Sequence, residues 1–62
     1  MQKPTRFEHV RWLGDKRTQI VYDLESDDTP EDAIAEVMEA ESFICFGPDT
    51  LAEARNRGYR PL

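Results

Sequence analysis

The run Ser42-Phe43-Ile44-Cys45-Phe46-Gly47-Pro48-Asp49-Thr50-Leu51 constrains this chain more than any other segment. It is the most apolar stretch in a polar sequence, and it reads as a strand, a break and a fresh helix start. Along a strand, Phe43 and Cys45 point one way and Ile44 and Phe46 the other. Both faces are apolar, so the strand must be central or covered on both sides. Cys45 is expected to be buried there as a small apolar side chain. Gly47-Pro48 ends the strand. Asp49 supplies an N-cap for a second helix over about residues 50–57, with Leu51 and Ala54 inward. Gly58 sits where a left-handed cap belongs, Tyr59 is placed to fold back on the core, and Pro61 forbids further helix.

The upstream segments are what can pack on this unit. Residues 1–5 read as a flexible tail, and residues 6–62 as one small domain. Residues 6–13 mix aromatic and β-branched side chains with charges, as a strand does. Gly14-Asp15-Lys16-Arg17 reads as a turn. Residues 18–24 then alternate, with Ile20, Tyr22 and Leu24 on one face. The expected hairpin sets Leu13 opposite Thr18, His9 opposite Tyr22 and Phe7 opposite Leu24. Phe7 and Leu13 then share a face with Ile20, Tyr22 and Leu24, while Val10, Trp12 and Val21 occupy the other. Asp28 or Thr29 can cap a helix over about residues 30–41, with Pro30 at its first position and Glu31 and Asp32 favoured by the helix dipole. Ile34, Val37 and Met38 form its apolar stripe.

The expected fold class is therefore α+β: a single ββαβα domain with a three-stranded mixed sheet in the order 2-1-3. The second and third strands are parallel, because a crossover helix joins them. Both helices are expected on one face, which leaves the face of Trp12, Val10 and Val21 open.

Size and composition narrow the function classes. A domain of 62 residues buries only about 60% of the surface of its unfolded chain. Substrate pockets usually need about 300 Å³ or more, which argues against a free-standing enzyme. One cysteine cannot form an internal disulfide, and with one histidine it makes no ordinary zinc cluster. No catalytic residues, metal or cofactor are expected. There is no signal-like or membrane-spanning apolar run, which suggests a cytoplasmic protein.

Charge is segregated along the chain. The formal net charge is −5, distributed as +3 over residues 1–22, −11 over 23–53 and +3 over 54–62. A fold that brings the two ends together acquires a basic side and an acidic side.

Two sets of side chains follow as candidates. Trp12, Val10 and Val21, flanked by Arg11 and Arg17, would form an apolar, arginine-rimmed patch of the kind enriched at protein-binding hot spots. The leading expectation is thus a non-catalytic protein-interaction module, an adaptor or regulator docking on a larger protein or forming a homodimer. The second set is Arg55, Arg57, Tyr59 and Arg60, in which arginines flank an aromatic ring as in RNA contacts. The segment from Thr50 to Pro61 also resembles the end of a helix-turn-helix recognition helix in small regulators, which implies nucleic-acid binding as the alternative. The net negative charge opposes that reading. A catalytic pairing of Cys45 with His9 is disfavoured, since no motif surrounds either residue. The acidic run from Asp23 to Asp28 lacks the glycine of a calcium loop.

Overall fold

A hairpin opens the fold, but its turn is not at Gly14. The structure, a computed structural model, describes residues 7–62. The expected tail and Arg6 lie outside the described residues. The elements are β1 (Trp12–Asp15), β2 (Ile20–Asp23), α1 (Glu31–Ala40), β3 (Phe43–Cys45), α2 (Leu51–Asn56) and β4 (Arg60–Pro61). β1 pairs antiparallel with β2, with Leu13 opposite Tyr22 and Asp15 opposite Ile20. The register is thus displaced by four residues from the expected one, and the connection is Lys16–Gln19. Gln19 adopts φ 57°, the left-handed position that lets the turn close. An even displacement keeps every β1 side chain on its expected face. Val10, which precedes the strand, does not follow this rule and packs with the opposite core.

The sheet has four strands in the order β3-β1-β2-β4, not three. The expected 2-1-3 arrangement forms its inner part, with β2 and β3 parallel because each is antiparallel to β1. The added strand follows from the cap of α2. Gly58 has φ 87°, and the amides of Gly58 and Tyr59 donate back to the carbonyls of Arg55 and Ala54. This Schellman-type ending swings Arg60–Pro61 alongside β2. There the Arg60 amide donates to the Gln19 carbonyl at 2.8 Å and the Leu62 amide to the Val21 carbonyl at 3.3 Å. Pro61, between them, has no N–H to offer a further strand.

The two helices lie on opposite faces, contrary to the one-sided expectation. On one face Leu13, Tyr22 and Leu24 pack with Phe7 and with Ile34 and Val37 of α1. Phe7 meets Phe43 edge-on, with ring centroids 5.1 Å apart. On the other face Val21, Phe46 and Tyr59 pack with Ala54 of α2, joined by Trp12, Ile44 and Leu51. Phe46 and Tyr59 form a second edge-on pair at 5.3 Å. The apolar alternation of Phe43 and Ile44 serves both cores, which is why β3 needed two apolar faces.

Gly14 is the reason the second face can be filled. A Cβ built at Gly14 would lie 2.8 Å from Ile44 Cγ2, 2.9 Å from Tyr59 Cε2 and 3.0 Å from Phe46 Cζ. The glycine is a seat for two rings rather than a turn residue. α1 begins without a side-chain cap. Pro30 occupies the N-cap position, and the Thr29 hydroxyl instead donates to the Asp23 carbonyl at 2.6 Å. α1 ends at Glu41, which takes the left-handed conformation at φ 53°.

Candidate functional site

Two carboxylates fix the geometry around Trp12. Asp49, expected to cap α2, does something else: its two oxygens accept from the backbone amides of Arg11 at 2.7 Å and Trp12 at 2.9 Å. Thr50 caps α2, accepting from the Glu53 amide at 3.1 Å. The loop before α2 is thereby clamped to the start of β1. Asp23, at the end of β2, accepts from Arg11 Nε at 3.2 Å and Nη2 at 3.1 Å. The Arg11 guanidinium also lies 5.0 Å from the Trp12 ring centroid, within cation–π range. Its pKa is raised, first by the hydrogen bond to Asp23 and then by that residue's charge.

Asp15, expected in a turn, is the last residue of β1 and only 2% exposed. Its Oδ1 accepts from the Arg17 amide at 2.9 Å and the Ser42 hydroxyl at 3.0 Å. Its Oδ2 accepts from Arg17 Nη2 at 3.2 Å. Burial alone would raise its pKa, but the bonds from the Arg17 side chain and backbone and from Ser42 outweigh it and hold the carboxyl below the ordinary value. This carboxylate locks the hairpin to the end of α1. Arg17, one of the expected patch residues, is committed to it and to Glu36 at 3.6 Å.

The expected open patch is not open. Val21 is 1% exposed beneath α2, Phe46 and Tyr59, and Val10 belongs to the other core. Of the expected set, Arg11 and Arg17 are exposed, each held in an ion pair, while Trp12 and Val10 are half-buried. A cleft of about 280 Å³ does lie beside Trp12, with Val21 at its floor and Asp23, Asp28, Pro61 and Leu62 around it. Leu62 is 68% exposed. The lip is acidic, where arginines had been expected to rim it. The Asp28 carboxylate carries no ion pair among the described residues.

The second expected set is also divided. Arg55, Arg57 and Arg60 are exposed, but Tyr59 is buried against Phe46 and offers no ring for stacking bases. α2 spans six residues and is separated from α1 by β3, so no helix-turn-helix is formed. Cys45 is exposed, contrary to the expected burial, because β3 ends there. The His9 side chain is 92% exposed beside Glu8. No group of three His, Cys, Asp or Glu among the described residues is placed to hold a metal. No helix among them is long and apolar enough to cross a membrane.

The strand register sets the loop before α1 and the hairpin turn at opposite ends of the sheet. At one end, Trp12 pairs with Asp23. There the loop carrying Glu25, Asp27 and Asp28 leads to Glu31 and Asp32, and Asp49 is clamped to Arg11 and Trp12. At the other end lies the hairpin turn with Lys16 and Arg17, together with Glu36, which pairs with Arg17, and the end of α1 at Glu41, whose neighbour Ser42 accepts from the Lys16 amide. Arg60 is bonded to that turn through Gln19. The end of α2 is also close, since a Cβ at Gly58 would sit 3.9 Å from Gln19 Nε2, and this brings Arg55 and Arg57 to the same region. Comparison with protein-family models, curated proteins and solved structures returned no match.

Proposed function

We propose that this protein is a non-catalytic interaction module whose docking point is the Trp12 cleft, and that the group it takes is a cationic side chain of a protein partner. The observation that carries this reading is the cleft itself. The half-buried indole and the exposed Leu62 supply apolar contact, while Asp28, unlike the Arg11-paired Asp23, supplies unpaired negative charge at the lip. An arginine matches both, because its stem packs on apolar surface and its guanidinium pairs with carboxylates. The Arg11 guanidinium on the Trp12 ring and Asp23 displays the same chemistry within the chain.

Trp12 is the sole tryptophan, so its emission reports the cleft directly. Titration with a short Arg-Leu peptide is expected to shift that emission saturably, and a Glu-Leu peptide to leave it unchanged. Asp28→Lys should abolish the response with the fold intact by circular dichroism. A wild-type protein whose emission ignores the Arg-Leu peptide at low salt would refute the reading.

A further inference from the structure

Resting on that reading of the cleft, we infer that Arg11 is its built-in competitor: the guanidinium holds the place on Asp23 and the indole that a partner's arginine takes, and it is displaced when the partner docks. Asp23 and Trp12 both line the cleft, and the Arg11 side chain engages both. Its Nε and Nη2 donate to the two oxygens of Asp23 at 3.2 Å and 3.1 Å, and the guanidinium carbon lies 5.0 Å from the ring centroid. Both oxygens of Asp23 are therefore in use, and Oδ1 accepts from the Glu25 amide at 3.0 Å as well. An incoming cation finds the unpaired Asp28 first. It gains Asp23 when Arg11 leaves.

The contact can be exchanged because charge holds it and packing does not. The Arg11 side chain is 49% exposed. Its backbone is fixed independently, through the amide that donates to Asp49, so the side chain can swing out without moving the strand. Exposed ion pairs and exposed cation–π contacts each amount to no more than about fivefold in an equilibrium constant. A contact of that strength keeps Asp23 paired while the cleft is empty. It yields to a guanidinium that also brings an apolar neighbour onto Trp12 and Leu62. The pairing further selects the replacement. A planar guanidinium can repeat the two bonds from Nε and Nη2 to the two carboxylate oxygens, and a lysine ammonium cannot. The partner group is thus an arginine and not a lysine.

Titration of the full chain with the Arg-Leu peptide, followed by Trp12 emission at about 0.1 M salt, tests this. Arg11→Ala is expected to tighten binding by about 3- to 20-fold, the factor that loss of the two exposed contacts allows. A Lys-Leu peptide should gain less from the same substitution. Lys16→Ala removes an equal charge from the turn at the far end of the sheet. It should leave the affinity unchanged, since the Debye length is then about 10 Å. Arg11→Gln, which keeps part of the stem, should shift the affinity in the same direction as Arg11→Ala, and circular dichroism checks that each variant is folded. Affinity that is unchanged or weaker in both Arg11 variants overturns the inference and leaves the cleft reading standing. An equal gain in Lys16→Ala does the same, because the effect would then be one of net charge. If neither wild type nor Arg11→Ala answers the peptide even at low salt, the cleft reading falls and this inference with it.

Discussion

Replacing Gly14 by alanine adds one methyl group where two aromatic rings and an isoleucine already meet. Carbon atoms pack best at about 3.5–4.0 Å. The new Cβ would stand 2.8 Å from Ile44 Cγ2, 2.9 Å from Tyr59 Cε2 and 3.0 Å from Phe46 Cζ, so three neighbours must each retreat by several tenths of an ångström or more. None is a free surface chain: Phe46 is 6% and Tyr59 9% exposed, and the two rings support each other edge-on. Overpacking of this kind costs about 1–3 kcal/mol. Alanine gives back about 0.4–1 kcal/mol by restricting the unfolded chain. The net loss is then about 1–2 kcal/mol, and in a domain of this size each kcal/mol lowers Tm by about 4–8 °C. Thermal melts followed by far-ultraviolet circular dichroism should place Gly14→Ala about 4–16 °C below wild type. In a Phe46→Leu background, which lacks the Cζ atom, the same substitution should cost less by about 0.5 kcal/mol or more. An alanine variant as stable as wild type would refute the assignment of Gly14 as a ring seat. So would equal costs in the two backgrounds.

Three other perturbations read separate parts of the structure. Asp15 has a folded-state pKa below its unfolded value. Its contribution is complete above the ordinary carboxylate range and is lost as pH falls through the folded value; wild-type Tm should drop more steeply than that of Asp15→Asn between about pH 5 and about pH 2, and parallel curves would count against the lock. Glu41→Gly relieves a left-handed non-glycine residue at the end of α1, and urea denaturation should show a gain of about 1 kcal/mol, with no gain arguing that the Glu41 side chain matters there. Asp49→Ala leaves the Arg11 and Trp12 amides to water, since the site is exposed; a loss of about 1 kcal/mol should accompany a changed Trp12 emission, and unchanged emission would mean that the clamp does not position the indole.

The hairpin illustrates how much of the fold a local reading can hold. Alternation at Ile20, Tyr22 and Leu24 put these residues with Leu13 and Phe7, and they do share one core. The register was misplaced because Gly14-Asp15-Lys16-Arg17 has turn composition, while the true turn, Lys16–Gln19, carries no glycine, asparagine or proline. Side-chain parity survived because the displacement is even. The second face is expected to be bare only because both helices are placed on the first, whereas α2 covers it. With no side chain at Gly14, β1 contributes only Trp12 to that face, and the gap is where Phe46 and Tyr59 seat. Their relation to Gly14 spans more than thirty residues, and no pattern within either segment encodes it.

Asp15 and Asp49 show why the site was less legible than the fold. Each sits in a motif with a local use, a turn for Asp15 and a helix start for Asp49. In each case another group meets part of the local need: Thr50 caps α2, and Gln19 supplies the left-handed turn position. Asp49 is then spent at long range on the amides of Arg11 and Trp12, and Asp15 adds a long-range bond from Ser42 to its local ones from Arg17. The expected patch paired Trp12 with basic residues because Arg11, Lys16 and Arg17 are its neighbours in sequence. Folding sends Lys16 and Arg17 to the far end of the sheet and brings Asp23, Asp28 and Asp49 to the near end. That exchange leaves Arg11 as the one cation of the expected rim beside Trp12 and surrounds it with carboxylates.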